Sequence, residues 1–241
     1  MGEAAPREGP ARWLFTELVE TRAEHVIEQD MELASAVVGD LLAPAAPWLP
    51  VDADADDWCD NLFELRSAIW TRRPVVLVHP GGGWGAKRWP AERYGAVVEE
   101  FSERGALVYV NAGPGEEALA ASVVAAANGM GTILSTSMAE LIALTRRVSL
   151  VIGGDTGPLH LACAVGVPVV GIYGPTDPRR NGPFGNRFQV LRNPDSRQDH
   201  SRREQPEAGL LTIGPEAVMA AAMELLLAVR QDEPAPDGGR R

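Results

Sequence analysis

The stretch VSLVIGGDTGPLHLACAVGVPVVGIY, residues 148–173, contains two apolar runs separated by glycines and polar residues. The runs VSLVI (148–152) and VPVVGIY (167–173) are almost continuously apolar, which is typical of strands buried on both faces of a sheet. A helix is predicted between them, over residues 157–165. The stretch therefore predicts a β-α-β unit with two parallel strands.

The same alternation continues on both sides of this unit. Further strands are predicted at 75–79, 106–111, 132–134 and 188–191, and further helices at 91–104, 115–127, 138–146 and 215–230. We therefore predict an α/β fold in which a parallel sheet carries helices on both faces. Because ligands bind beyond the carboxyl ends of such strands, the strand-to-helix turns are the expected location of a functional site.

Composition limits the class of protein. The chain has 241 residues, of which 45% are hydrophobic, and its net charge of -11 argues against a general nucleic-acid-binding protein. Two unclustered cysteines, Cys59 and Cys163, indicate neither a disulfide framework nor a zinc site. Since Met1–Pro10 does not have the pattern of a signal peptide and no apolar run approaches about 20 residues, we predict a reduced, soluble, cytoplasmic protein without a transmembrane segment.

The two ends of the chain differ from the alternating part. Apolar residues recur at roughly helical spacing from Trp13 to Asp40, which predicts one long helix. Three prolines and an acidic run follow, so residues 41–58 are predicted to form an extended connector. We therefore divide the chain into a linker helix with its connector (1–55), a sheet domain (56–231) and a disordered tail (232–241).

A polar cluster lies where the strand VSLVI leads into the helix at Gly157. One interpretation is that Asp155 or Thr156 simply caps this helix. A buried core histidine would similarly explain His160. The alternative is an anion site, because the exposed amides and the dipole at a helix N-terminus favour negative charge.

A glycine loop follows the first predicted strand of the sheet, in HPGGGWGAKRWPAERY (79–94). Consecutive glycines allow backbone amides to approach an oxyanion, and Lys87 adds a positive charge that Arg88 could reinforce. Lys87 could instead be an ordinary solvated surface lysine. A nicotinamide site fits poorly, because KRWP separates the glycines from the helix and Asn111, rather than an acidic residue, ends the second strand of the sheet.

Two further turns contain candidate residues. In NAGPGEEALA (111–120), Glu116 and Glu117 could stabilise a helix start, or a carboxylate there could accept hydrogen bonds from ribose hydroxyls. The loop YGPTDPRRNGPFG (173–185) is either a rigid turn or part of the wall of a ligand cleft.

Together these segments resemble glycosyltransferase family 9, the bacterial heptosyltransferases that build the lipopolysaccharide inner core from ADP-heptose. The resemblance runs from about Ala11 to Val229 and is loose between Ala43 and Arg73. It implies the Rossmann-like, donor-binding C-terminal half of a GT-B glycosyltransferase, preceded by a linker helix. The N-terminal acceptor domain, which carries the proposed base in that family, is expected to be missing, so apolar surface should remain on the Trp13–Asp40 segment.

The resemblance also implies residue roles. The catalytic group would comprise Lys87 and His160, which offset the charge on departing ADP, and Asp155, which accepts hydrogen bonds from sugar hydroxyls. The remaining donor-binding residues would be Thr156 and Gly157 at the phosphates, Glu116 at the ribose and Thr136 at the adenine, together with the amides of Gly82 and Gly83 where several relatives carry threonines.

The implied function is that of an inverting, heptosyltransferase-like enzyme that uses ADP-heptose or a similar nucleotide sugar, with no metal or other cofactor. Its partner would be a lipid-linked saccharide acceptor, reached through the missing domain or a partner chain, with no nucleic acid and at most a peripheral association with the inner membrane. Two alternatives remain. One is a non-catalytic nucleotide-sugar-binding module or subunit, and the other is a nucleotide-sugar epimerase, against which DTGPLHLA and KRWP argue.

Overall fold

The computed structural model describes residues 2–3, 9–70, 73–185, 187–199 and 203–232. Six parallel strands form one sheet in the order β5-β4-β3-β6-β7-β8. They are β3 (Val75–His79), β4 (Leu107–Ala112), β5 (Thr132–Ser135), β6 (Leu150–Gly154), β7 (Val169–Tyr173) and β8 (Phe188–Arg192). Two short strands, β1 (Gly2–Glu3) and β2 (Leu18–Val19), pair separately near the N-terminus.

The helices of the sheet domain alternate with these strands. They are α2 (Ala53–Trp70), α3 (Ala91–Glu103), α4 (Glu117–Ala126), α5 (Met138–Thr145), α6 (Gly157–Ala164), α7 (Pro178–Asn181) and α8 (Pro215–Asp232). Each strand of the sheet and the five helices predicted for this domain lie within two residues of their predicted bounds. Among the helices that the structure describes, none is both long enough and apolar enough to cross a bilayer.

Alternation along each strand divides the core into two layers. On β3, Val76 and Val78 face the layer that contains α3, α4 and α8, whereas Leu77 faces the layer that contains α2, α5 and α6. Both faces of the sheet are therefore buried under helices, as predicted, and His79 lies on the same face as Leu77. This arrangement leaves the carboxyl ends of the strands available for a ligand site.

The prediction of one helix from Trp13 to Asp40 was wrong. A short 3-10 helix (Gly9–Leu14) and β2 precede α1, which covers only Val26–Val38. The Glu32 carboxylate accepts hydrogen bonds from the amides of Arg22 and Ala23, and the Nδ1 atom of His25 caps α1 by accepting from the Ile27 amide. These local contacts fix the start of the helix at Val26, although the apolar periodicity extends further toward the N-terminus.

The predicted connector also ends earlier than expected, because α2 begins at Ala53. Asp52 accepts a hydrogen bond from the Ala55 amide, and acidic residues in a first turn are stabilised by the helix dipole. Arg147 at the end of α5 forms ion pairs with Asp56 and Asp60 at 2.7 and 2.9 Å. The acidic run is therefore the start of a helix that packs on the sheet domain. Residues 233–241 of the predicted tail lie outside the described residues, and Asp232 ends α8.

Candidate functional site

A cleft of about 680 Å³ opens at the carboxyl ends of β3, β4, β5 and β6. The structure brings eight of the nine predicted site residues to its wall: Gly82, Gly83, Lys87, Glu116, Thr136, Asp155, Thr156 and Gly157. The ninth, His160, lies one turn into α6 and contacts Asp155. The predicted site residues therefore lie together at one cleft.

Lys87 and Asp155 form a largely buried ion pair in the cleft. The Lys87 ammonium contacts Asp155 Oδ2, and the two side chains are only 12% and 10% exposed. The ammonium also lies 4.2 Å from the centre of the Trp84 ring, which is a favourable position for a cation. Lys87 is therefore not a solvated surface lysine.

Asp155 connects this pair to His160, whose Nε2 lies 3.2 Å from Asp155 Oδ1. Burial alone would raise the pKa of Asp155, but hydrogen bonds from His160 and Lys87 hold the pKa below its usual value. The carboxylate is thus ionised at neutral pH. His160 is 39% exposed, so the outer edge of the cluster is open to solvent.

The cap interpretation fails for both candidate residues. Thr156 is the N-cap of α6, but its side chain makes no capping hydrogen bond, and its hydroxyl donates to the Gly154 carbonyl. Asp155 uses its two oxygens on Lys87 and His160. The first turn of α6 thus lies on the wall of the cleft, at a helix end whose amides have no intrahelical partners.

Glu116 braces the glycine loop against the end of β4. Its two carboxylate oxygens accept hydrogen bonds from the amides of Gly82 and Gly113, each at 3.2 Å. A Cβ atom at Gly81 would overlap this carboxylate, so a side chain there would displace Glu116 from its present position. Glu116 is also the N-cap of α4, yet its side chain makes no capping hydrogen bond. The helix-start interpretation therefore does not explain this side chain.

Arg88 and Gly82 differ from expectation. The Arg88 guanidinium donates to the Gly82 carbonyl at 3.2 and 3.3 Å, so it fixes the glycine loop instead of adding charge beside Lys87. The Gly82 amide already donates to Glu116. Among the predicted phosphate contacts in this loop, Lys87 is therefore better supported than the amide of Gly82.

Thr136 is held at the opposite wall of the cleft. Its hydroxyl donates to Asn111 Oδ1 at 2.9 Å, and the next residue, Ser137, caps α5 through a capping box with Glu140. The loop at 173–185 has a different role. The structure describes all of residues 173–185, and none of them lies on the wall of the cleft.

The 173–185 loop instead joins α1 to the sheet domain. His25 Nε2 lies 3.1 Å from the Gly182 carbonyl, and the rings of His25 and Phe184 are 4.8 Å apart. Arg180 donates to Gln29 at 2.8 Å. The α1 helix has no buried residue, so these contacts account for much of its attachment.

Sequence reasoning overlooked two buried polar residues of the cleft. His79 ends β3 and Asn111 lies near the end of β4, and each is 4% exposed. A polar residue at the end of an otherwise apolar strand was the available signal. In the sequence, Asn111 served only as an argument against a nicotinamide site.

A family model for glycosyltransferase family 9 (heptosyltransferase) matches residues 6–211. The chain belongs to glycosyltransferase family 9. Family membership favours the transferase interpretation over the epimerase alternative.

Curated and solved relatives of this family 9 chain agree with the assignment. Lipooligosaccharide heptosyltransferase 2 of Haemophilus influenzae is 27% identical over 194 residues, which are 75% of this chain and 55% of that protein. The chain thus spans about half the length of this relative. A family 9 glycosyl transferase from Veillonella parvula matches 90% of this chain and 64% of its own, with a TM-score of 0.75 and 24% identity. The E. coli heptosyltransferase WaaC, solved with ADP, matches 91% and 62%, with a TM-score of 0.63 and 21% identity.

Proposed function

We propose that this chain is the donor-binding half of an inverting, heptosyltransferase-like glycosyltransferase that binds ADP-heptose or a similar nucleotide sugar. The observation that carries the proposal is the buried Lys87–Asp155 pair beside the N-terminus of α6, inside a cleft large enough for a nucleotide. Family membership and the ADP named for the solved WaaC structure support the choice of donor.

In the proposed reaction, an acceptor hydroxyl forms a new bond to the anomeric carbon while the bond from that carbon to the diphosphate breaks. The proton of the hydroxyl passes to a base on the acceptor side, and negative charge develops on the departing ADP. Lys87 and the amides of Thr156 and Gly157 would stabilise this charge, and such preorganised stabilisation is often the largest contribution to catalysis. No metal or other cofactor has a role in this proposal.

Asp155 would act on the sugar rather than on the phosphates, because a carboxylate repels a diphosphate. Its pair with Lys87 holds the ammonium in place, and an ammonium has three donors, so Lys87 could contact a phosphate without leaving Asp155. The second carboxylate oxygen, beside His160, remains close enough to the solvent edge to accept from a sugar hydroxyl.

The proposal also includes the acceptor, the molecule that receives the transferred sugar. We expect a lipid-linked saccharide of the lipopolysaccharide type, which would be presented by an acceptor domain or a partner chain. The main alternative is a binding module or subunit that holds the nucleotide sugar without transferring it. That alternative is favoured by the fact that, within the described part of the chain, residues of one sheet domain line the cleft.

Calorimetric titration with ADP, UDP and GDP tests the choice of donor. We expect ADP to bind most tightly, and UDP binding tighter by tenfold, about 1.4 kcal/mol, would contradict the heptosyltransferase proposal.

Lys87→Ala should weaken ADP binding by roughly 1.5–3 kcal/mol, the range for charge-assisted hydrogen bonds. Asp155→Ala should change ADP binding little but weaken binding of the complete nucleotide sugar. Equal effects of Asp155→Ala on both ligands would remove its proposed role at the sugar.

A further inference from the structure

The floor of the cleft contains a buried histidine with an unused polar atom. His79 is the last residue of β3, is 4% exposed and lines the cleft. Among the described residues, none pairs with its Nε2 atom. Buried polar atoms in native proteins nearly always have a hydrogen-bond partner, so an unpaired one on the wall of a cleft points to a ligand.

The position of His79 indicates which part of a ligand it would meet. β3 lies between β4, which carries Asn111, and β6, which leads to Asp155 and α6. Residue 153 on β6 is directly opposite His79, and a Cβ there would lie 3.0 Å from the His79 carbonyl oxygen and 3.3 Å from its Cβ. A side chain at this position would therefore crowd His79.

His79 thus lies between two groups of residues on the wall of the cleft. Thr136, which the resemblance places at the adenine, lies with its hydrogen-bond partner Asn111 on one side, whereas Thr156 and Gly157 line the side proposed for the diphosphate. A group at the centre would meet the ribose and the first phosphate, which connect those two parts.

Burial also determines the charge of this group. Burial lowers the pKa of His79 to about 3, so the imidazole is neutral near pH 7. A neutral imidazole offers one N–H donor and one acceptor nitrogen and carries no net charge. It would hydrogen-bond an oxygen of the ligand and would not act as a counter-ion, in contrast to Lys87.

We infer that His79 is an additional donor-binding residue, whose Nε2 hydrogen-bonds an oxygen of the ribose 5′-phosphate part of the nucleotide. This inference rests on the proposed function, because it assumes that the cleft holds a nucleotide. It assigns His79 to binding and orientation of the donor.

Titration of wild type and His79→Leu with AMP and ADP tests the inference. Because both nucleotides contain the ribose 5′-phosphate, we expect His79→Leu to weaken both by a similar factor, about tenfold. This factor should be the same at low and high salt, since no charge is removed. Lys87→Ala is the matched comparison, and it should weaken ADP more than AMP, by a factor that shrinks at high salt.

Thermal unfolding without nucleotide separates binding from a structural role. Leucine is apolar and removes no observed hydrogen bond of Nε2, so His79→Leu should keep or raise the melting temperature, and His79→Gln should recover part of the affinity. Unchanged affinity in His79→Leu, or a large loss of melting temperature in both variants, would overturn the inference while the proposed function stands. Wild-type protein that binds none of ADP, UDP and GDP would reject the proposed function and this inference together.

Discussion

Asp155 is the residue on which the charges of the cleft converge. Its oxygens face Lys87 and His160, and its pKa is held below the usual value even though burial opposes this. The sequence predicted a polar cluster here because charged residues follow a strongly apolar strand. It could not predict the partners, since Lys87 is 68 residues away and reaches Asp155 only after the sheet has formed.

Acid unfolding measures the stabilisation that Asp155 provides. Because its pKa is lower in the folded than in the unfolded protein, its contribution is complete above the unfolded value of about 3.9 and is lost as the pH falls through the folded value. We expect the difference in unfolding free energy between wild type and Asp155→Asn to shrink as the pH falls below about 4. Urea titrations across the pH range measure it, with the exposed Asp195→Asn as control. A difference that is constant with pH would show that the carboxylate charge is not responsible.

At the scale of elements, the accuracy of the sequence prediction depended on how deeply each helix or strand is buried. The strands of the sheet and helices α3 to α6 and α8 were predicted because buried elements have strong apolar patterns. Helix α2 was missed because two of its acidic residues are compensated by Arg147, which follows the distant helix α5. The helix predicted over Trp13–Asp40 was too long, because apolar periodicity does not reveal whether a helix has a surface to pack against.

The loop that joins β3 to α3 depends on a second, distant segment. The Ala86 amide donates to the Arg203 carbonyl, and the Glu207 amide donates to the Ala86 carbonyl, at 2.9 and 3.2 Å. A Cβ atom on Gly85 would overlap the backbone of Glu204, whereas a Cβ on Gly83 would meet open space. These contacts fix the loop that carries Lys87.

Gly85→Ala should therefore destabilise the protein, because the clash involves backbone that cannot rotate away. We expect a loss of about 1–3 kcal/mol of unfolding free energy, the usual cost of overpacking. The matched variant Gly83→Ala should stay within about 0.5 kcal/mol of wild type, as substitutions in open space do. Chemical denaturation of the two variants decides the point, and equal losses would show that the 203–207 segment does not constrain the loop.

At the scale of the whole molecule, the segment before the sheet domain exposes large apolar side chains. Trp13, Leu14, Leu41 and Trp48 are between 82% and 95% exposed. The resemblance predicted such a surface for Trp13–Asp40, and the structure extends it to Trp48. Exposed apolar groups at this density favour association with another surface.

We expect the protein to self-associate as its concentration rises, and a Leu41→Glu, Trp48→Glu double variant to do so less. Sedimentation velocity at several concentrations measures the effect, and the affinity for ADP serves as the control because neither residue lines the cleft. A wild-type chain that stays monomeric at high concentration would contradict this expectation.

In a sugar-transfer assay the isolated chain should bind nucleotide without transferring sugar.

The contacts that attach α1 lie outside the part of the chain that forms the cleft. The described residues on the wall of the cleft fall between His79 and Pro158, whereas α1 is joined through Arg180, Gly182 and Phe184. Mutation or recombination at this joint leaves the residues of the cleft untouched. Changes at this joint can therefore alter what is attached through α1 while the cleft, and the nucleotide binding proposed for it, is preserved.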